Sequence, residues 1–292
     1  MATSLASALL SLEGLSVGDG FGECFLSGGL APTGELPEGP WRWTDDTHMA
    51  LSIVETLRDR SRIAQDALAA AFARRFAADP HRGYGGGAFA LLAALTRGAD
   101  WRVAAPQLFG GGSYGNGAAM RAAPIGGFFR GDPARAAAEA QLAAAVTHAH
   151  PEGQAGAMAV AAAAALAAGE SPPSGRGLLE ATLAFVPAGA TRNGLEAALE
   201  IPADGPDDAI RVLGTGQRVS SQDTVPFCLW CAAWCADDFE QALWRTAAGR
   251  GDCDTTCAIV GGIVALSARG VPRAWIERRE PLPDGFQRHG RA

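Results

Sequence analysis

Apolar positions along the 292-residue chain recur at three- and four-residue spacing, and no stretch alternates apolar with polar for long. That period lets a helix keep one face dry, so the pattern predicts an all-α protein. The first helix is expected over residues 3–17, ended by Gly18, with a Gly- and Pro-rich loop at 28–40. Helices are then predicted near 45–58, 64–78 and 86–97, with Pro80 and the glycines between Gly83 and Gly87 as punctuation. Residues 109–117 hold five glycines and read as a loop. A helix from 118 is interrupted at Pro124, and another opens at Pro133 and runs to His148. An Ala-rich helix covers 155–168, a surface break covers 171–175, and shorter helices fit 177–186, 192–200 and 206–213. The last helices are expected at 224–237, 238–248 and 254–269. Pro226 falls in the first turn of its helix, where a missing N–H is tolerated.

Two stretches stand out against this regular background. Trp43-Thr44-Asp45-Asp46-Thr47 and Gly251-Asp252-Cys253-Asp254-Thr255-Thr256 have the same make-up, and each precedes a run with helical spacing. Thr and Asp are good helix caps, because their oxygens accept the unpaired N–H groups of a first turn. Two near-copies carry more oxygens than capping needs, which points to a shared site for a hard cation. Four carboxylates brought together repel, and Mg²⁺ or Mn²⁺ neutralises them with oxygen ligands. If the clusters meet, the two ends of the chain share one core, so a single domain over 1–280 is expected. The polar segment 281–292 is expected to be a loose tail.

Composition narrows the function. With 48% hydrophobic and 19% charged residues the chain is globular rather than disordered. A net charge of −7 argues against a nucleic-acid groove, which needs a basic face. It does not argue against a nucleotide, since bound metal supplies local positive charge. Met1 to Leu15 is apolar but lacks a basic leader, and 155–168 is too short and small-sided to span a bilayer. A cytoplasmic protein without a membrane partner is expected. Of six cysteines, Cys228, Cys231 and Cys235 share one helical face, and Cys253 and Cys257 are four apart. A zinc site at Cys228 and Cys231 would usually bring a second close pair on a turn. The surrounding apolar residues favour buried free thiols instead, and disulfides are not expected.

In combination, these features resemble the ADP-ribosylglycohydrolase family. The matching stretches are Gly18-Asp19-Gly20-Phe21-Gly22, the two aspartate clusters, Gly112-Ser113-Tyr114-Gly115-Asn116-Gly117-Ala118-Ala119-Met120-Arg121, Thr147-His148, Gly214-Thr215-Gly216 and Thr224-Val225-Pro226. They span roughly residues 10–270 in the family's order. The resemblance implies a compact orthogonal multi-helix bundle with two Mg²⁺ ions, or Mn²⁺ in some members. It implies metal ligation by Thr44, Asp45 and Asp46 from one side and by Asp252, Asp254 and Thr255 from the other.

The implied reaction is hydrolysis of the bond between C1″ of ADP-ribose and a protein side chain or related conjugate, with ADP-ribose as product. Such a bond breaks through an oxocarbenium-like state. The catalytic set is Glu23, Asp46 and Asp254. The family's usual glutamate lies seven residues after the aspartate of the first motif, where this chain has Leu26. Either Glu23 serves the same metal-bound water from a neighbouring position, or the catalytic role has moved and Glu23 is a solvated helix-end carboxylate. The glycine loop is expected to cradle a pyrophosphate with its N–H groups, through Gly112 and Gly115 among others. Ser113 and Asn116 would bond ribose or phosphate, Phe109 and Tyr114 would flank an adenine, and His148 would contact the pyrophosphate or ribose. His150 reads as a helix-end residue, Asp223 as a cap, and 220–224 as a segment that closes over the substrate. Two other functions fit the same residues: nucleotide binding without turnover, or another metal-dependent hydrolysis of a nucleotide conjugate.

Overall fold

The computed structural model describes residues 2–26 and 32–288. Its α-helices are α1 (Ala2–Leu26), α2 (Asp45–Arg60), α3 (Gln65–Ala78), α4 (Gly86–Thr96), α5 (Trp101–Gln107), α6 (Ala123–Phe128), α7 (Pro133–Ala145) and α8 (Pro151–Ala167). The second half adds α9 (Arg176–Leu183), α10 (Ala190–Ala198), α11 (Pro206–Leu213), α12 (Ser221–Trp234), α13 (Phe239–Ala247), α14 (Cys253–Ser267) and α15 (Arg273–Ile276). Among the described residues there is no strand, only isolated bridges at Trp41–Arg279 and Gly115–Ser220. The fold is all-α and forms a single domain, as the periodicity requires.

Helix α1 does not end at Gly18. It runs on for two more turns, because Gly14, Gly18 and Gly22 form a bare stripe that meets α14. A Cβ at these positions would stand closer than 3.0 Å to the carbonyl oxygens of Gly261, Cys257 and Cys253 respectively. Each glycine costs about 1 kcal/mol of helix propensity relative to alanine. The close backbone approach it permits compensates, and here glycine signals packing rather than termination.

Helix α8 explains the alanine run. Ala159 and the alanines from Ala161 to Ala165 are fully buried, so this helix crosses the centre of the molecule with other helices on all sides. Small side chains let neighbours approach: Gly126 of α6 sits against the Ala161 carbonyl. A second centre is aromatic. Phe21 packs on Trp275 with ring centroids 4.7 Å apart and on Trp244 at 4.9 Å. Trp41 joins them and is pinned by its N–H to the Arg278 carbonyl, 2.6 Å, while Glu280 N–H returns to the Trp41 carbonyl, 2.8 Å.

Other boundaries differ from the pattern by a few residues. Helix α7 stops at Ala145, before His148, and a 3-10 turn at Asn116–Ala118 leads into turns over 119–122. Helix α12 starts at Ser221, which places Pro226 inside it rather than at its first turn. The expected loose tail is anchored at two points. Leu282 and Phe286 are buried beside Leu12 and Leu51, and the Arg58 and Arg75 guanidiniums lie over the Phe286 ring. Two apolar residues four apart suffice to anchor a short polar segment. Residues 289–292 lie outside the described residues, as does the beginning of the expected 28–40 loop. Cys228, Cys231, Cys235, Cys253 and Cys257 are buried free thiols, and burial pushes all five above the usual thiol range. Among the described residues no helix is long and apolar enough to cross a membrane.

Candidate active site

Two helix N-termini deliver the aspartates. Thr44 caps α2, with Asp45 and Asp46 in its first turn. Asp252 stands at the cap position of α14 but makes no capping bond, and Asp254 follows in the first turn. The Asp252 carboxylate instead accepts from Asn116 Nδ2 at 2.6 Å. The packed pair α1 and α14 carries Asp19 and the second cluster on neighbouring turns. Asp19 binds the entry of α2: Thr44 N–H donates to it at 3.0 Å, Thr44 Oγ1 at 2.9 Å, Thr47 N–H at 3.0 Å and Thr47 Oγ1 at 2.5 Å. One buried carboxylate therefore fixes α2 against α1.

Asp45, Asp46, Asp252, Asp254 and Thr255 face one cavity of about 400 Å³. Phe109, Ser113, Tyr114, Gly115, Asn116 and His148 line the same cavity. Thr44 and Gly112 are not among the lining residues. Gly112 has a left-handed φ of +88°, and a side chain there would strike the backbone at His150. Ser113 Oγ accepts from Gly115 N–H, 3.1 Å, and shapes the loop. Asn116, expected against ligand, gives its amide to Asp252 and to Thr224 Oγ1, so it orients a carboxylate. Segment 220–224 buttresses the loop: Ser221 N–H donates to the Tyr114 carbonyl and Ser221 Oγ to that of Gly115. Asp223 does not cap α12; it accepts from Arg218 N–H at 2.7 Å and holds the rim turn. His150 does cap α8, accepting from Glu152 N–H at 3.1 Å.

Glu23 is not among the residues that line the cavity. It lies one helical turn beyond Asp19 and is half-buried, and Leu26, a turn further, is 42% exposed. The structure adds residues that the motifs did not assign. Arg121 and Thr147 line the inner wall, Gly83 and the glycines 85–87 line one side, and Arg218 and Val219 line the rim. The signals present in the sequence were the second glycine run and an arginine inside an otherwise apolar segment.

Electrostatics mark the aspartates as a strained group. Burial raises Asp19 to about 6 against its four hydrogen bonds. Burial and then the charge of Asp19 push Asp45 up to about 7. Asp46 and Asp254 rise well above the carboxylate range, from burial first and then from their acidic neighbours. His148 is driven down to about 3 by burial and by Arg121, so its ring is neutral.

These residues fit a hard divalent cation. As they stand, no group of three His, Cys, Asp or Glu side chains among the described residues is drawn tightly enough to hold one. Two observations favour the fit nonetheless. Asp46 Oδ1 is buried with no hydrogen-bond partner. Thr44 Oγ1 lies 2.9 Å from Asp19 Oδ1 and 3.1 Å from Asp46 Oδ2, and one hydroxyl proton cannot serve both carboxylates. One of the two carboxylates therefore carries a proton or meets a cation. The donors are all oxygens, which suits Mg²⁺ or Mn²⁺ better than softer metals.

The family model described as ADP-ribosylglycohydrolase matches residues 2–289. An uncharacterized protein of Archaeoglobus fulgidus is 30% identical over 249 residues, 85% of this chain and 78% of that protein. ADP-ribosylhydrolase ARH3 of Homo sapiens is 40% identical over 86 residues, 28% of this chain and 24% of its own length. The Mus musculus ARH3 is 36% identical over 125 residues, 42% of this chain and 31% of its own. The chain thus spans less than a third of either ARH3 protein. A solved structure described as an ADP-ribosylglycohydrolase-related protein complex matches with a TM-score of 0.61 and 23% identity, covering 96% of this chain and 94% of that one. At that identity the likeness is one of fold. The family match over nearly the whole length, on a fold and a cavity built as above, places this chain in the ADP-ribosylglycohydrolase family.

Proposed function

We propose that this chain is a metal-dependent hydrolase that cleaves the C1″ glycosidic bond of an ADP-ribose conjugate and releases ADP-ribose. The conjugate is an ADP-ribosylated protein side chain or a small relative of one. The observation that carries this reading is the meeting of four aspartates and a glycine loop around one cavity. Carboxylates alone would repel an anionic nucleotide, and the loop alone would be an ordinary turn. Together they suit a ligand with phosphates at one end and polarisable hydroxyls at the other.

Asp45, Asp46, Asp252 and Asp254 would hold two Mg²⁺ ions, with Mn²⁺ as the alternative and Thr44 and Thr255 as neutral oxygen donors. Bound there, the metals supply positive charge for the ribose hydroxyls and for a water. The chain does the rest. Asn116 and Thr255 N–H hold Asp252 and Asp254 in place, at 2.6 and 2.8 Å. The N–H groups of Gly112 and Gly115 are held by the Leu108 carbonyl and Ser113 Oγ, so other N–H groups of the loop would receive the pyrophosphate, and Tyr114 and Phe109, exposed by 48% and 73% at the mouth, would receive the adenine. Asp46 and Asp254 face the cavity, where a carboxylate oxygen could accept a proton from the attacking water. This is the role assigned to Glu23 from the sequence, and its position outside the lining favours the aspartates instead.

One observation favours a second reading, nucleotide binding without turnover: no glutamate lines the cavity among the described residues. A single experiment separates the two. Release of ADP-ribose is followed from arginine-, serine- and phosphate-linked substrates with Mg²⁺, Mn²⁺ or a chelator. Metal-dependent release from one linkage supports the hydrolase and names the leaving group. Tight ADP-ribose binding with no release from any linkage supports the binding protein.

A further inference from the structure

The cavity wall contains a buried arginine that the reaction outlined above does not use. Arg121 is fully enclosed, its guanidinium over the Phe72 ring at 4.7 Å. It donates through Nη1 to the Gly117 carbonyl at 3.0 Å and through Nη2 to Thr147 Oγ1 at 2.6 Å. Thr147 Oγ1 in turn lies 2.7 Å from His148 Nδ1. The far side of that ring, Nε2, has no protein partner among the described residues. It reaches the glycine loop, 3.2 and 3.5 Å from where side chains at Gly117 and Gly115 would begin.

The direction of each hydrogen bond follows from the donor inventory. A guanidinium only donates, so Thr147 Oγ1 accepts from Arg121. The hydroxyl has one proton, and His148 Nδ1 is the acceptor within reach. If Nδ1 carried a proton instead, the Thr147 O–H would be buried without an acceptor, a preference of about tenfold or more against that arrangement. We infer that Arg121 is a positioning residue that, through Thr147, holds His148 as its Nε2–H tautomer and makes it a fixed hydrogen-bond donor toward the glycine loop. The ligand group that fits is an oxygen that only accepts, such as a phosphate. That identity rests on the proposed ADP-ribose reading; the tautomer does not. Burial keeps the ring neutral, so it donates without bringing a charge that would oppose the metals.

The tautomer is read directly by two-bond ¹H–¹⁵N correlation on histidine-labelled, ligand-free protein at neutral pH. His148→Asn identifies the signals. The expected result is a protonated Nε2 and an unprotonated Nδ1 in a single form. Protonated Nδ1, or an even mixture, would overturn the assignment. In Thr147→Val, checked by thermal melting, a mixture of tautomers should appear and ADP-ribose affinity should fall about tenfold. Thr147→Ser should restore both. A Thr147→Val protein that keeps the pure Nε2–H form would also overturn the relay. If the wild-type ring has the expected tautomer but calorimetry finds no ADP-ribose binding, the functional reading fails and the positioning role stands.

Discussion

Asp46 and Asp252 show how one residue type does two jobs at a helix start. Both stand where a cap or first-turn acid belongs, and neither carboxylate satisfies a free N–H of its own helix with a capping bond. Asp252→Asn should abolish Mg²⁺ binding by calorimetry and remove turnover while leaving the thermal melt near wild type; wild-type metal affinity would end its role as a ligand. At the mouth, Tyr114 meets His150 edge-on at 5.5 Å and leaves a face to solvent. Tyr114→Ala should weaken ADP-ribose binding by about 1–3 kcal/mol if that face stacks on the adenine. Unchanged affinity would place the base elsewhere. Both clusters and the glycine loop stood out by residue type and order, and His148 only through the family resemblance. Arg121 was not legible as part of the wall, because its meaning comes from Thr147 and His148 in another segment.

At the scale of helices, the pair α1 and α14 is what makes the site. Gly14, Gly18 and Gly22 admit the carbonyls of Gly261, Cys257 and Cys253, and the same turns carry Asp19 and the second aspartate cluster. Gly18→Ala should destabilise the fold by about 1–3 kcal/mol or more through overpacking, read as a lower denaturant midpoint. It should also weaken Mg²⁺ binding, since separating these helices separates the carboxylates. A Gly18→Ala protein of unchanged stability would contradict the packing role. The sequence pattern reads glycine as a stop because it weakens an isolated helix, and a single sequence does not show the partner that repays it. Helices without such a device, such as α3 and α11, lie close to where periodicity puts them.

For the whole molecule, burying several carboxylates ties stability to metal and pH. Asp19 and Asp45 are raised to about 6 and 7 from an ordinary 3.8. The folded state thus holds protons that the unfolded state has released. Their contribution is fully present below pH ~4 and is lost as pH rises through 6 to 7. His48 and His148, lowered to about 4 and 3, act oppositely: their contribution is present above ~6.5 and is lost as pH falls toward the folded values. The two trends overlap, so the informative quantity is the change on adding metal. Mg²⁺ binds the ionised carboxylates, so its rise in melting temperature should be larger at pH 8 than at pH 5.5. At a hundredfold excess over Kd the gain should be about 2.7 kcal/mol. An equal rise at both pH values would show that metal and protons do not compete for these groups.

The chain by itself determined the helical class and the single domain, and it singled out aspartates and a glycine loop that the fold gathers around one cavity. Those follow from period, residue type and order, which are local properties. Tertiary structure alone decided that α1 continues through its glycines, that Leu282 and Phe286 tie down the chain's last described turns, and that Asn116 serves Asp252. It also left Glu23 outside the lining of the cavity. Each of these depends on which surfaces meet across hundreds of residues, and close packing of backbone on backbone leaves no periodic trace in a single sequence.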